Sequence, residues 1–190
     1  MSKFSARDMT LTSLFASLAV VASMLARYAG PIVPFSLLPF VAMLAGGYLG
    51  PRLGAMSMLV YILLGLAGVP VFAKAPFGGP AYVLQPTFGF LPGFVAAAYL
   101  IGRLLKNRES AGAARYFLAM TAGVAVIYLV GLPYLYVILT FYLGKNVSLA
   151  GLLTIGFTPF IIPDLVKAAA AAALARTLYR RLNVSRGGGP

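Results

Sequence analysis

Residues 114–143 read ARYFLAMTAGVAVIYLVGLPYLYVILTFYL, thirty residues with one charge, Arg115. A transmembrane helix needs about 20 consecutive, mostly apolar residues to cross a hydrocarbon core roughly 30 Å thick. This stretch satisfies that requirement and places the chain in a membrane. Outward from it, runs of the same kind lie near 9–29, 33–50, 53–69, 86–105 and 159–181, with Gly30-Pro31, Gly50-Pro51 and Val69-Pro70 as punctuation. The expected fold class is an all-α membrane protein: one domain over residues 1–184, a bundle of six transmembrane helices that satisfy their own backbone polar groups. Gly131 and Pro133 predict a kink or tilt in the fifth span. Residues 147–158 read as a short surface helix before the sixth, and 185–190 as a flexible tail. The first span is too long for a cleavable signal peptide, lacks a small-x-small cleavage pattern and has five more spans behind it.

Composition supports this class and removes others. The chain is 61% hydrophobic and 9% charged, whereas a soluble domain is about a quarter charged; so few polar side chains cannot cover a surface in water. It has no Cys and no His, which removes zinc fingers, thiol nucleophiles and histidine-dependent triads. The three acids, Asp8, Glu109 and Asp164, are too few for a carboxylate-rich metal cage. The reading is therefore of a protein with no catalytic residue, metal or cofactor, and not of an enzyme. No G-x-x-x-x-G-K-[ST] phosphate loop is present, so energy for uphill transport would come from another polypeptide.

The formal net charge of +12 resolves once its carriers are sorted by side. Lys3, Arg7, Arg52, Arg103, Lys106, Arg108, Arg115, Arg176, Arg180, Arg181 and Arg186 fall on one side of the six-span scheme; Arg27, Lys74 and Lys145 fall on the other. Eleven against three is a positive-inside bias that places both termini in the cytoplasm. The surplus charge then reads as topology and contact with anionic membrane lipids, with no nucleic-acid partner.

Two features carry chemistry. Asp164 and Lys167 lie within or beside the sixth span, where ionisable residues are costly and mark function by default. Their i, i+3 spacing sets them on one helix face, near a helix start favoured by Pro159 and Pro163 and at the external mouth of the bundle. A structural ion pair is the alternative. The second feature is the external stretch Gly68–Phe94, GVPVFAKAPFGGPAYVLQPTFGFLPGF, which suits a cavity lining at membrane depth. Tyr82, Gln85 and Thr87 offer hydrogen bonds, and Phe72, Phe77, Phe88 and Phe90 an apolar wall; an ordinary tight loop would use the same Gly and Pro. Small residues in span one (Ser13, Ala16, Ser17, Ala19, Ala22, Ala26) and the run Ala168–Ala173 allow close helix approach, within the bundle or to a partner.

These residues fall into a known pattern. Pro31-Ile32-Val33-Pro34-Phe35, Leu44-Ala45-Gly46, Gly50-Pro51-Arg52-Leu53-Gly54-Ala55, Tyr61, Leu63-Leu64-Gly65, Gly68-Val69-Pro70-Val71-Phe72-Ala73, Pro86-Thr87, Gly89 and Phe160-Ile161-Ile162-Pro163-Asp164-Leu165-Val166-Lys167 occur in order. Together they resemble the BioY family, the biotin-specific substrate-capture (S) components of energy-coupling factor (ECF) transporters. The resemblance implies a six-helix bundle of the prokaryotic cell membrane that binds biotin near the outer surface. It also implies docking on a transmembrane coupling protein with two cytosolic ATPases. The family's D-x-x-K element matches Asp164 and Lys167, which would accept from and donate to the ureido ring of biotin; the carboxylate tail would face Tyr82, Gln85 and Thr87. The first-span A-x-x-x-A that contacts the coupling protein matches Ser13 and Ser17. Ser36-Leu37-Leu38 replaces the usual T-L-Q, Gln85-Pro86-Thr87-Phe88-Gly89-Phe90 the usual G-P-T-G-G-Y, and Pro163 the usual Gly. An S component for another vitamin, or an independent ion-coupled carrier, stays open at this level.

Overall fold

A computed structural model describes residues 5–28, 36–106 and 110–187, with side chains described through Arg181. Gly30, the Pro31–Phe35 motif, Lys3, Arg108, Glu109 and the last three residues of the expected tail lie outside it. Seven α-helices lie among the described residues: α1 Ala6–Tyr28, α2 Leu38–Leu49, α3 Pro51–Leu66, α4 Phe90–Leu104, α5 Ala113–Val137, α6 Leu149–Gly156 and α7 Thr158–Gly187. A π-helical turn, Ile138–Tyr142, extends α5.

Local chemistry sets the helix starts. The backbone N–H of Ser5 donates to the Asp8 carboxylate and that of Asp8 to the Ser5 hydroxyl, each at 3.1 Å. This reciprocal capping pair assigns Asp8 to helix initiation. Ser148 caps α6 by accepting from the Gly151 N–H at 3.1 Å; the surface helix expected over 147–158 is this element. Between α2 and α3 stands Gly50 alone, at φ 94 with Pro51 next to it. Only glycine takes that conformation without steric cost, and proline suits the first helical position.

The helices that correspond to the six expected spans differ in length. Among the described residues, α1, α5 with its π turn, and α7 through Arg181 are long and apolar enough to cross a membrane. Helices α2, α3 and α4 have 12, 16 and 15 residues, about 18, 24 and 22 Å at 1.5 Å per residue. Gly50-Pro51 ends one helix and opens the next without a linker. Residues 67–69 and 86–89, placed by hydropathy at the ends of spans three and four, belong to a loop over 67–89 with a 3₁₀ turn at Pro80–Leu84, and α4 begins only at Phe90.

The short helices are stable because protein covers them. Every residue from Val41 to Gly47 is buried, so α2 is enclosed on all sides, as an all-round apolar helix must be. It packs on α4, α7, α3 and α1; α3 also packs on α1 and α4, and α5 on α4 and α7. Small residues permit the close approaches. Gly46 of α2 lies directly on the Ala98 backbone of α4, and Gly93 of α4 on the Ile127 backbone of α5. Ala168, Ala171, Ala172 and Ala175 give α7 a buried alanine face. On the outside, Leu129, Phe141 and Ile162 are each more than 70% exposed, a surface suited to lipid and not to water.

One end of the bundle collects the starts of α4 and α7, the end of α1 and the 67–89 loop. The start of α4 meets the second half of α5 through Phe90 and Tyr128, the start of α7 meets α5 through Asp164 and Tyr128, and the end of α1 meets the 67–89 loop through Arg27. At the opposite end, Gly102 sits on the Pro51 backbone and Arg115 donates to the Leu104 carbonyl at 2.9 Å.

The Gly46–Ala98 contact makes a prediction. A Cβ at Gly46 would collide with backbone atoms, which cannot swing aside. Gly46→Val is expected to destabilise the bundle by about 1–3 kcal/mol or more. Gly112→Ser, at an N-cap with open space around it, should be neutral or slightly stabilising. Thermal unfolding in detergent micelles measures both; equal midpoints would remove the close-packing account of α2 and α4.

Candidate functional site

Asp164 lies in the second turn of α7 and Lys167 one turn further on, with Pro159 in the first turn and Pro163 inside the helix. Lys167 Nζ donates to Asp164 Oδ1 at 2.8 Å. The hydroxyl of Tyr128, from α5, donates to the other carboxylate oxygen at 2.6 Å. Asp164 is buried at 5% exposure. Taking such a charge out of water costs several kcal/mol unless a partner and further hydrogen bonds compensate, and here each oxygen has one. Rings surround the cluster: Phe90 and Phe157 stand edge-on to Tyr128, with centroids 6.1 and 5.0 Å away. Phe157 occupies the α6–α7 corner, and Gly131 leaves the space that the Phe90 ring fills.

Tyr128 was not among the residues singled out from the sequence. The signal was present: a buried tyrosine hydroxyl among aliphatic neighbours needs a partner. What the chain alone could not show is which group that partner is.

The 67–89 loop forms a second cluster. Phe72 is fully buried with its ring on Gly65. It meets Tyr61 edge-on at 5.6 Å and stacks on Tyr82 at 4.1 Å. Tyr61 in turn donates to the Ser23 hydroxyl at 3.1 Å, tying α3 to α1. From Tyr82 the rings continue to Phe88 at 6.5 Å and on to Tyr134 of α5 at 5.9 Å; the Tyr134 hydroxyl donates to the Val83 carbonyl. Burial holds the Tyr82 phenol above the ordinary tyrosine range, against the opposing effect of hydrogen bonds with the Lys74 backbone and the Thr87 side chain. Gln85 donates its side-chain amide to the Ala75 carbonyl at 2.8 Å. The structure thus brings Phe72, Tyr82, Gln85, Thr87 and Phe88 into one loop cluster, and Asp164 and Lys167 into a neighbouring one built on α5 and α7. Phe90, expected in the loop wall, belongs to α4 and packs on Tyr128 in the Asp164 cluster.

Arg27, counted in the sequence only as an outer-side cation, closes the loop from α1. Its Nη2 donates to the carbonyls of Pro70 and Phe72 at 2.6 and 2.5 Å, and the guanidinium lies 4.2 Å from the Phe77 ring centroid. Ser13 and Ser17 are exposed on α1, away from the face that buries Phe15, Ala19 and Ala22.

A groove of about 500 Å³ opens between α3 and α4, lined by Leu59, Ile62, Phe88, Pro92, Val95 and Tyr99 among others. Its lining is apolar and it does not reach Asp164. Ligand sites combine apolar walls with a few convergent polar groups, so the charged cluster is the better candidate and the groove reads as lipid-facing. Chemically, an acceptor (Asp164) beside a donor (Lys167) suits a ligand that presents N–H and C=O side by side.

Comparison with known proteins follows the same line. The BioY family profile matches residues 1–184. The chain is similar to the probable biotin transporter BioY of Lysinibacillus sphaericus, 40% identical over 94% of this chain and 90% of that protein. It is also similar to the probable biotin transporter BioY of Pyrococcus horikoshii, 38% identical over 91% and 96%, and to the biotin transporter BioY of Thermotoga maritima, 35% identical over 95% and 99%. In fold it matches the crystal structure of an S-component for biotin from an ECF-type ABC transporter, with a TM-score of 0.77 over 94% of this chain and 95% of that one, at 24% identity.

The buried pair makes its own prediction. Lys167→Met leaves the Asp164 carboxylate without its cation and is expected to destabilise the protein by about 3–5 kcal/mol. Adding Asp164→Asn should recover most of that loss. Tyr128→Phe should cost about 1.5–3 kcal/mol, the range for a hydrogen bond to a charged group. A double-mutant cycle read by unfolding in micelles tests the set, and additive single-variant effects would show that the two charges do not support each other.

Proposed function

Because the chain belongs to the BioY family, we propose that it is the biotin-binding S component of an ECF-type transporter, capturing biotin at the outer face of the membrane and passing it inward. In this reading α1 to α5 and α7 are the six membrane helices, the 67–89 loop is external, and both termini are cytoplasmic. The eleven-to-three division of basic residues supports that orientation.

The observation that carries the ligand assignment is the Asp164–Lys167 pair, buried against Tyr128 at the loop end. The ureido ring of biotin has two N–H donors and a carbonyl acceptor on one edge. Asp164 accepts from one of the N–H groups and Lys167 donates to the carbonyl beside it, with Tyr128 able to exchange its bond as the ligand enters. The thioether ring lies against Phe88, with the buried Phe72 supporting the loop from behind through Tyr82, and the carboxylate tail turns toward Tyr82, Gln85 and Thr87. The exposed Ser13 and Ser17 face of α1 keeps small side chains where a transmembrane coupling protein could approach closely. ATP hydrolysis belongs to two cytosolic partner ATPases.

Equilibrium binding of biotin to the purified protein tests this assignment. Saturable binding is expected in the parent. Asp164→Asn and Lys167→Ala should each weaken it about 10- to 150-fold, the equivalent of one charge-assisted bond of roughly 1.5–3 kcal/mol. No saturable biotin binding in the parent, or displacement of a bound ligand by a different vitamin, would sink the assignment. Unchanged affinity in both variants would move the site elsewhere while leaving the family in place.

A further inference from the structure

We propose that Arg27 is a positioning residue for ligand capture: from the end of α1 it clasps residues 70–77 and thereby holds the loop that presents Tyr82, Gln85 and Thr87. This rests on the reading of that loop as part of the biotin site.

The clasp is long-range, joining residues 43 and 45 positions apart. Both acceptors are backbone carbonyls of an irregular segment, where no helical N–H is available to them. One amino group bridges the two, and the guanidinium plane covers the Phe77 ring at 4.2 Å. A lysine would bring the charge but not the planar fork that bonds and stacks at once.

Phe77 shows what the clasp holds in place. Its φ is 65, an unusual conformation for a bulky side chain. Such residues persist only where their surroundings over-determine them, and they cluster at ligand clamps. Here the Phe77 N–H donates to the Lys74 carbonyl and its own carbonyl accepts from the Phe72 N–H, both at 2.8 Å, while the ring lies under Arg27. Phe72 is therefore fixed through both backbone groups, one by Phe77 and the other by Arg27. Its ring then stacks on Tyr82, and Gln85 donates to the Ala75 carbonyl within the clasped segment. Position passes from α1 through Phe72 to the polar groups of the loop. Arg27 sits at the rim of the bundle, apart from the α2 core, so loosening it should free the loop without unfolding the helices.

The test uses full-length parent, Arg27→Gln, Arg27→Lys and Phe77→Gly proteins in micelles. It reads amide hydrogen exchange without ligand, biotin association and dissociation rates, and the unfolding midpoint. Expected for Arg27→Gln are at least tenfold faster exchange over residues 68–79 with α2 and α5 unchanged, and biotin dissociation about tenfold faster at a similar midpoint. Arg27→Lys should fall between Arg27→Gln and the parent. Phe77→Gly, which accepts the positive φ but lacks the ring, should loosen the loop less than Arg27→Gln. Unchanged loop exchange in Arg27→Gln overturns the clasp. Faster loop exchange with unaltered biotin dissociation overturns the positioning role, as does uniformly faster exchange through α2 and α5 in both Arg27 variants. A parent that binds no biotin overturns the functional reading and the capture role with it, while ligand-free exchange still judges the clasp on its own.

Discussion

A polar group enclosed by apolar side chains, with no water at hand, must find its partner inside the protein. That constraint governs this molecule at every level. It makes the backbone helical wherever lipid can reach it. It gives the buried Asp164 carboxylate two donors, one per oxygen. It closes the Tyr61 hydroxyl on Ser23 and the Ser57 hydroxyl on the Gly54 carbonyl. It also brings an arginine to the loop carbonyls that no helix satisfies.

The same constraint explains why a bundle with three short helices is tenable. A 12-residue helix facing lipid would leave its ends unsatisfied at membrane depth. Helix α2 avoids this by lying inside the bundle, with neighbours against all its faces. Small residues are the condition for that placement, since Gly46 on the Ala98 backbone and the alanine face of α7 let helices approach closely. Packing and hydrogen bonding are thus one problem here: close approach excludes water, and its exclusion makes each internal polar pairing matter more.

The two ends of the bundle differ. One end is basic, compact and joined by a single-residue turn at Gly50. The other carries a long aromatic loop, the buried ion pair and the ring cluster around Tyr128. Ligand recognition in the proposed reading needs both parts of that second end. The ion pair supplies complementary donor and acceptor character, and the loop supplies walls and further polar groups at a position set from α1.

Much of this was legible in the chain. Hydropathy located the apolar stretches, charge distribution separated the two sides, the capped 147–158 segment read as a short helix, and i, i+3 spacing placed Asp164 beside Lys167. These are local properties, carried by residues within a few positions of one another. The shortness of α2, α3 and α4, the seating of Phe90, the bond from Tyr128 to Asp164 and the hold of Arg27 on the loop were not legible. The two polar contacts join residues 36 to 45 positions apart. Periodicity and composition report what each segment can do, whereas the partner of a buried hydroxyl or a loop carbonyl is chosen by which helices pack together. The sequence by itself determined a membrane bundle with one charged pair near its mouth; only the tertiary structure decided what that pair and the loop beside it are bonded to, because those bonds exist only once distant helices are packed.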